Sequence, residues 1–274
     1  MLTLYLADLD GTLLSPAQTV SERTRETLNA LLKKGAHISY ATARSLETSS
    51  AVTRGIRFSD PVILHNGAVV SDPVQKKPLF VARFSEVEKQ EILAAFLTNG
   101  LFPVTYSFLA GKNRFSYFWE RSGEAQRAFI ATRTGSAAGS ERARELFSAD
   151  GILDGDVFYF ACLGEKESLL PVYEALRARC RCFFAPDIYL KAQWLEVVKF
   201  GVSKASAALA LKARLGAQKL VVFGDAENDI PLFEVADESY AVSYAVPSLK
   251  ERATAVIGSN EEDGVAKKLA QLLG

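Results

Sequence analysis

The sequence predicts an α/β fold in which a doubly wound parallel sheet is interrupted by an inserted α/β domain. At both ends of the chain, short apolar segments typical of buried strands alternate with segments of helical periodicity. In the middle, this alternation gives way to short aromatic strands and a hairpin. Because the strand–helix order resumes near the C-terminus, we expect residues 1–81 and 192–274 to form one sheet domain, and residues 82–191 to form the inserted domain.

The N-terminal segment opens with a strand over residues 2–7, whose nearly unbroken apolar run suits burial on both faces. Ser21 is the expected N-cap of a first helix, which continues to about Lys34 and ends at Gly35. Next come a strand over 36–41, a helix from Ser45 and a strand over 61–64. This βαβαβ order is typical of a parallel sheet with right-handed crossovers.

The middle and C-terminal segments contain the remaining predicted elements. A hairpin covers residues 69–81, and a helix follows from Ser85 to about Asn99. The inserted domain also contains predicted strands over 115–119, 157–162 and 182–184, and helices near 123–132, 140–147 and 166–178. The C-terminal segment is predicted to contain a helix over 203–215, strands over 219–223, 240–242 and 255–257, and a last helix over 262–273.

The composition indicates a globular protein without a strongly charged partner. Hydrophobic residues make up 49% of the 274 residues, and 32 basic residues balance 32 acidic ones. A nucleic-acid or anionic-membrane partner would require a basic excess or patch, so neither partner is expected. We expect the chain to act as a monomer or weak homodimer.

The cysteines and the N-terminus bear on the expected compartment. Cys162, Cys180 and Cys182 do not form a disulfide framework, and two histidines do not suggest a zinc site. Cys180 and Cys182 could form a redox pair, but buried thiols near a strand are the favoured interpretation. The N-terminal apolar run lacks a preceding basic region, and no apolar stretch reaches the ~18 residues of a membrane span. We therefore expect a cytoplasmic protein.

Three predicted strands end in polar residues at one edge of the sheet. Asp8 and Asp10 follow the first strand, Thr42 follows the second, and Asp225 follows the strand over 219–223. Ligands of open α/β sheets bind beyond the carboxyl ends of the strands. We therefore expect these side chains to line one crevice.

An acidic pair of this spacing also occurs in two other local structures. Asp10 and Gly11 could form a tight structural turn, and spacing alone leaves this interpretation open. A calcium loop would need a glycine and a glutamate where Leu13 and Thr19 stand, so this kind of site is excluded.

The loop that contains Asp225 adds Asn228 and Asp229. Clustered carboxylates repel one another unless a cation neutralises them, and oxygen ligands without nearby His or Cys favour magnesium. Lys204 lies in the first turn of a predicted helix, where the helix dipole disfavours positive charge. We expect an anion beside it, although an exposed surface lysine is an open alternative. A nucleophilic acid, a general acid, a hydroxyl, a lysine and magnesium together are typical of phosphoryl transfer through an aspartyl-phosphate.

These residues resemble the haloacid dehalogenase superfamily of phosphohydrolases, and within it the Cof-type phosphatases with a large α/β cap inserted into a Rossmann-like core. Six sequence motifs carry the resemblance: DLDGTLL at 8–14, YATAR around Thr42, HNGA at 65–68, GVSK ending at Lys204, GDAENDI at 224–230, and EEDGVA at 261–266. The paired DxDGT and GDxxND motifs are the most specific. The inserted domain matches the family cap only in position and size.

The resemblance implies a role for each matched residue. Asp8 would be the nucleophile, and Asp10 the general acid and then base. Thr42 and Lys204 would hold the phosphoryl oxygens. Magnesium would be held by Asp8, the Asp10 carbonyl, Asp225 and Asp229. Asn66 would contact the substrate, and Asn228 would contact the phosphate or orient the lysine. Arg44 follows Thr42 at the crevice, so we expect it to contact the phosphate or the substrate.

The sequence departs from the family pattern at two positions. Ala43 stands where the family usually has glycine, and its methyl is tolerable unless the backbone needs a positive φ. Tyr244 stands where asparagine is usual, so it removes an amide and adds a ring near the rim of the site. Both departures concern substrate contacts rather than the nucleophile.

The expected activity is magnesium-dependent hydrolysis of a small phosphate ester, with a sugar phosphate as first candidate and flavin mononucleotide or pyridoxal phosphate next. A phosphomutase-like phosphotransferase and a non-catalytic ligand sensor are the alternatives. The aromatic side chains of the cap are interpreted mainly as core, and the cap as closing over the sheet edge. Four cap-side residues are hypothesised to line a substrate pocket: Arg114, Tyr117, Lys191 and Trp194.

Overall fold

A computed structural model describes residues 1–135, 137–187 and 192–274. Its strands are β1 Thr3–Ala7, β2 His37–Tyr40, β3 Val62–Leu64, β4 Val69–Asp72, β5 Lys77–Val81, β6 Val104–Leu109, β7 Lys112–Tyr117, β8 Ala143–Glu145, β9 Asp156–Gly164, β10 Cys180–Asp187, β11 Ala192–Lys199, β12 Lys219–Gly224, β13 Glu238–Val242 and β14 Ala255–Ile257. Its α-helices are α1 Glu22–Lys33, α2 Leu46–Val52, α3 Glu86–Thr98, α4 Glu124–Thr134, α5 Ala137–Arg142, α6 Lys166–Leu176, α7 Lys204–Leu215, α8 Ile230–Val235, α9 Pro247–Lys250 and α10 Gly264–Leu273.

The chain divides into two compact units. Unit 1 contains Met1–Val81 and Val202–Gly274, and unit 2 contains Ala82–Gly201. Unit 1 is built on a five-stranded parallel sheet with the order β14-β13-β12-β1-β2. Within it, α1 packs on α10 and α7 packs on α8. The predicted α/β fold with a parallel sheet is therefore confirmed.

The strands of unit 1 are aligned so that three of them end at the same level. In the register of the sheet, Ala7 of β1 lies beside Tyr40 of β2 and beside Phe223 of β12. The sheet interior is apolar, and its fully buried members include Leu4, Leu6, Leu220, Val222 and Ala241. Burial of this cluster holds the strand ends in place, and the loops that follow them emerge at one edge.

The third predicted strand joins the parallel sheet only weakly. Ala41 and Ile63 form a single parallel bridge, whereas β3 pairs along its length with β4 and, through it, with β5 in a small antiparallel sheet. The hairpin predicted for residues 69–81 is therefore part of a three-stranded sheet that starts at Val62.

Unit 2 is built on a six-stranded sheet with the order β10-β11-β9-β6-β7-β8. All neighbouring pairs are antiparallel except β7 with β8. Helices α3 and α6 contact each other, and side chains such as Phe96, Val172 and Leu195 form its apolar cluster. The expected boundary at residue 192 is wrong, because β11 pairs with β9 and β10 and buries Leu195 and Val197 in this unit.

Two local predictions within the inserted segment also need correction. The helix predicted over 140–147 ends at Arg142, and residues 143–145 instead pair with β7, since strand pairing in the folded chain overrides local helical preference. Strand β6 was not predicted, although Val104, Thr105 and Tyr106 are β-branched or aromatic residues typical of strands.

The hypothesised cap pocket residues lie in varied surroundings. Tyr117 is buried and stacks on Phe115, and Trp194 contacts Phe129 edge to face, which fits the core interpretation of the cap aromatics. Arg114 donates a hydrogen bond to the carbonyl of Glu141. Lys191 lies outside the described residues. None of the helices in the described part of the chain has both the length and the apolar character that crossing a bilayer requires.

Candidate active site

Asp8 lies directly after β1 and is buried at the edge of the parallel sheet. Its backbone N–H donates to the carbonyl of Phe223 at 2.9 Å, which continues the pairing of β1 with β12 by one residue. Only 6% of the residue is exposed, so its carboxylate has left bulk water. A carboxylate in this position requires a compensating charge.

Lys204 supplies that charge from the start of α7. Its Nζ donates to Asp8 Oδ1 at 2.6 Å and to Asp229 Oδ1 at 2.8 Å, and the whole side chain is buried. Burial alone would lower the pKa of the lysine, but the carboxylates of Asp229 and Asp8 outweigh burial and raise it. Lys204 is therefore a buried cation, and the surface-lysine alternative is wrong.

Asp229 is held by the turn between β12 and α8. Its second carboxylate oxygen accepts hydrogen bonds from the backbone N–H groups of Asp225 at 3.1 Å and Ala226 at 3.3 Å. A side chain on Gly224 would overlap this carboxylate, so the close approach requires glycine. The GDAENDI motif thus shapes the turn as well as supplying its acids.

Asp225 completes a cluster of three acids. Carboxylate oxygens of Asp8, Asp225 and Asp229 all lie within 4.8 Å of one another. Asp225 Oδ1 also accepts a hydrogen bond from the Thr12 hydroxyl at 2.8 Å. The sequence motifs did not predict a separate role for Thr12, and its place in DxDGT was the signal that could have indicated one.

The three acids carry more negative charge than Lys204 balances. Burial, opposed by Lys204 and reinforced by Asp229 and Asp225, holds the pKa of Asp8 well above its usual range. Burial and then the neighbouring Asp229 raise the pKa of Asp225 to about 6. Hard oxygen donors with a surplus of negative charge fit a divalent cation such as magnesium.

Thr42 lies at the same edge, fully buried after β2. Its hydroxyl accepts a hydrogen bond from the backbone N–H of Arg44 at 3.2 Å, and its carbonyl accepts one from the N–H of Asn66 at 3.0 Å. Asn66 is also buried, so the two residues predicted to contact phosphate and substrate are neighbours.

The turn that contains Asn66 has an unusual backbone. His65, Asn66 and Gly67 have φ values of 48°, 55° and 99°, a region that favours glycine. A side chain on Gly67 would overlap the carbonyl oxygen of Ser203, immediately before Lys204. The turn therefore joins the Thr42 loop to the start of α7, a role that the sequence alone did not reveal.

Arg44 and Asp10 form an ion pair with each other. The guanidinium donates to both oxygens of the Asp10 carboxylate, from Nε at 2.7 Å and from Nη2 at 2.5 Å. Arg44 was predicted as a substrate contact, and in this structure its partner is the predicted general acid. Asn228 lies half-buried in the 3₁₀ turn Glu227–Asp229, beside the acidic cluster.

The two departures from the family pattern also have structural explanations. Ala43 is exposed and is not among the residues of the described chain that have a positive φ. Its methyl group therefore causes no backbone strain. Tyr244 is half-exposed in the turn after β13. In the same turn, the N–H of Val246 donates to the carbonyl of Asp225 at 2.9 Å. Burial, followed by the charges of Asp225 and Asp8, raises the pKa of its phenol, so the ring stands near the acids.

A family model described as haloacid dehalogenase-like hydrolase matches residues 5–269, nearly the whole chain. The chain belongs to this family. The 5-amino-6-(5-phospho-D-ribitylamino)uracil phosphatase YitU of Bacillus subtilis is 24% identical over 272 residues, which are 98% of this chain and 96% of that protein. Membership of the family and relatives named as phosphatases identify the chain as a phosphoric monoester hydrolase.

Solved structures share the fold of the whole chain. A haloacid dehalogenase-like hydrolase from Bacteroides thetaiotaomicron has a TM-score of 0.77 at 22% identity, covering 99% of this chain and 100% of the other. A second structure from that organism, analysed among the phosphatases of the superfamily, has a TM-score of 0.75 at 20% identity, covering 99% and 95%. These structures confirm the predicted fold, and the family model confirms the predicted resemblance.

Proposed function

We propose that this chain is a magnesium-dependent phosphatase that hydrolyses a small phosphorylated metabolite through an aspartyl-phosphate on Asp8. The observation that supports the proposal is the buried Lys204, which pairs with Asp8 at 2.6 Å and with Asp229 at 2.8 Å beside a third carboxylate, that of Asp225. An isolated structural turn at Asp8 would not need a buried cation and two further acids.

Asp8 is proposed as the nucleophile because its carboxylate lies at the end of β1 and accepts a hydrogen bond from Lys204 Nζ at 2.6 Å. The positive charge of Lys204 opposes the rise in the pKa of Asp8 that burial causes. A carboxylate oxygen of Asp8 attacks phosphorus and the bond from phosphorus to the ester oxygen breaks. Asp10, which must be protonated for this step, gives its proton to that oxygen. Asp10 then takes a proton from water, whose oxygen attacks phosphorus. The bond between Asp8 and phosphorus breaks, which releases inorganic phosphate and restores the carboxylate.

Other residues are proposed to bind and orient the phosphoryl group. Lys204 and the Thr42 hydroxyl would hold phosphoryl oxygens, Lys204 as a buried point charge. Asn66 and Asn228 are proposed substrate contacts. Magnesium would be held by Asp8, Asp225, Asp229 and the carbonyl of Asp10. When bound, it would neutralise the negative charge that the acids and the phosphate bring together.

A sugar phosphate or a phosphorylated sugar alcohol is the proposed substrate class. YitU and two further Bacillus subtilis relatives, YcsE and YwtE, are named for a phosphoribitylamino-uracil, which joins a phosphorylated sugar-alcohol chain to a ring. These relatives are 23–24% identical to the chain, so their substrate is a starting point for a screen. Simple sugar phosphates, flavin mononucleotide and pyridoxal phosphate complete the panel.

Phosphate release from this panel, measured with magnesium and with chelator, tests the proposal. We expect release that requires magnesium and is lost in Asp8→Asn. The exposed-site variant Glu251→Gln is the control and should retain wild-type activity. Acid quenching during turnover, followed by mass spectrometry, should detect a phosphoryl group on Asp8.

Two results would contradict the proposal. One is full activity in Asp8→Asn, and the other is no release from any ester by the folded wild-type protein. Hydrolysis in ¹⁸O-labelled water separates the phosphotransferase alternative, since only transfer to water places the label in inorganic phosphate.

A further inference from the structure

Arg44 binds Asp10 in the geometry that orients a carboxylate best. Its Nε and Nη2 donate to the two carboxylate oxygens at 2.7 Å and 2.5 Å, and Nη2 also donates to Gln18 Oε1 at 2.9 Å. A bidentate arginine fixes both the plane and the direction of a carboxylate, whereas a single hydrogen bond leaves it free to rotate.

The two partners differ in their freedom to move. The Arg44 side chain is 17% exposed, whereas that of Asp10 is 50% exposed. Without the guanidinium, a half-exposed aspartate would sample several rotamers in water. The contact therefore selects one orientation for the residue that the proposed function uses as acid and base.

The backbone of Arg44 is held at both its polar groups. Its N–H donates to the Thr42 hydroxyl at 3.2 Å, and its carbonyl accepts from the N–H of His65 at 3.1 Å. The side chain thus extends from an anchored loop toward the loop after β1, where Asp10 and Gln18 lie. Arg44 links two loops that are far apart in the sequence.

We propose that Arg44 is a positioning residue that aims the Asp10 carboxyl, rather than a ligand of the substrate phosphate. The bidentate face of the guanidinium formed by Nε and Nη2 is already taken by Asp10, and Nη2 also donates to Gln18. The inference rests on the proposed function, because it concerns the proton transfers assigned to Asp10.

The leaving group of the substrate distinguishes the two roles of Arg44. Phenyl phosphate needs a proton on its leaving oxygen more than p-nitrophenyl phosphate does, so misdirection of Asp10 penalises phenyl phosphate more. In Arg44→Met we expect kcat/KM for phenyl phosphate to fall ~10-fold or more, since acid–base catalysis contributes ~10²–10⁴-fold. The loss for p-nitrophenyl phosphate should be several-fold smaller, and the inhibition constant of inorganic phosphate should change little.

A double-mutant cycle shows whether Arg44 acts through Asp10. In an Asp10→Asn background, Arg44→Met should have little further effect on phenyl phosphate. Arg44→Lys should recover only part of the loss, because an ammonium cannot bind both oxygens in one plane. Gln18→Met removes only the hydrogen bond between Arg44 Nη2 and Gln18, so it should cause a smaller change in the same direction. This variant tests the proposal if Arg44→Met does not fold.

Arg57→Met, at an exposed arginine of the same unit, should leave both esters unaffected. Equal losses on both esters, with weaker phosphate inhibition that persists in the Asp10→Asn background, would make Arg44 a phosphate ligand and overturn the proposal. A gain of activity in Arg44→Met would also overturn it. Failure of the folded wild type to hydrolyse these two esters and every ester of the metabolite panel, or hydrolysis that survives Asp8→Asn, would instead contradict the proposed function.

Discussion

At the scale of single residues, Lys204 shows how burial and charge are balanced in this site. Its ammonium lies between Asp8 and Asp229 and is as buried as they are. Such an ion pair adds little net stability compared with an apolar core, but removing one partner leaves uncompensated buried charge. The lysine therefore matters for folding as well as for the proposed chemistry.

Lys204→Met should lower the free energy of unfolding of the metal-free protein by about 3 kcal/mol at pH 8, measured by urea denaturation. Phosphate release should fall by ~10²-fold or more. Lys212→Met is the matched control on the same helix, because its ion pair with Asp237 is partly exposed and should contribute under ~1 kcal/mol. Equal effects of the two substitutions would contradict the special position of Lys204.

Asp225 should make the metal-free protein less stable as pH rises through about 6. Its pKa is raised by folding, so the folded state binds the proton more tightly, and ionisation above this pH costs stability. In chelator at pH 8, Asp225→Asn should therefore be more stable than wild type by about 1–2 kcal/mol, less than the full shift because the residue is partly exposed. The difference should shrink as pH falls to about 4.

Asp237→Asn is the comparison variant, because its stability should change in the opposite direction. The hydrogen bond from Lys212, and then that from the Leu220 N–H, lower the pKa of Asp237, so its ionised form stabilises the fold. This variant should be less stable than wild type at pH 8 in the same denaturation experiment. A stability loss in metal-free Asp225→Asn at pH 8 would show that the acidic cluster is not strained by its own charge.

At the scale of elements, the site depends on turns that join strands to helices. The turn over residues 65–67 approaches the first residues of α7 so closely that Gly67 cannot carry a side chain. Its positive φ and those of the two preceding residues are retained because the packed strand β3 and helix α7 hold the turn on both sides. A backbone shift here would move Lys204 away from Asp8.

Gly67→Ala should destabilise the protein by about 2 kcal/mol or more and reduce kcat, since both the overlap with Ser203 and the positive φ oppose a methyl. Gly216→Ala, at the other end of α7, also has a positive φ but faces open space. It should cost about 1 kcal/mol and leave kcat unchanged. Comparable kcat losses in both variants would show that strain alone, rather than the position of Lys204, limits activity.

At the scale of the whole molecule, each unit has its own apolar cluster. One cluster of unit 1 contains residues from both ends of the chain, such as Leu4 and Leu220. In the described part of the chain, two clusters of unit 2 consist of residues between Phe84 and Val197. A segment with its own core and a six-stranded sheet has what independent folding requires.

Residues 82–201 expressed alone should therefore unfold cooperatively on heating, as followed by circular dichroism. The matched control is a piece that contains residues 82–191, the bounds that the sequence predicts for the inserted domain. This shorter piece lacks β11, which lies between β9 and β10, so it should lack a cooperative transition. Cooperative unfolding of both pieces would show that the inserted domain can end at residue 191, as the sequence predicts.

The candidate site was predictable where it follows from local pattern. Asp8 and Asp225 each lie just after a strand that can be recognised from a few neighbouring residues, and Asp229 lies in the turn that follows the second of these strands. Lys204 begins a helix with a recognisable cap. The strand β8 was not predictable in this way, because its partner β7 lies more than twenty residues earlier and local preference favoured a helix.

The sequence by itself determined the parallel sheet, the acids at its strand ends and the family, because periodicity and short motifs are local properties of the chain. Only the tertiary structure decided that Arg44 holds Asp10, that the turn over residues 65–67 packs against the start of α7, and that β11 belongs to the inserted unit. These contacts join residues distant in sequence, and their energies depend on packing and burial that arise once the chain has folded.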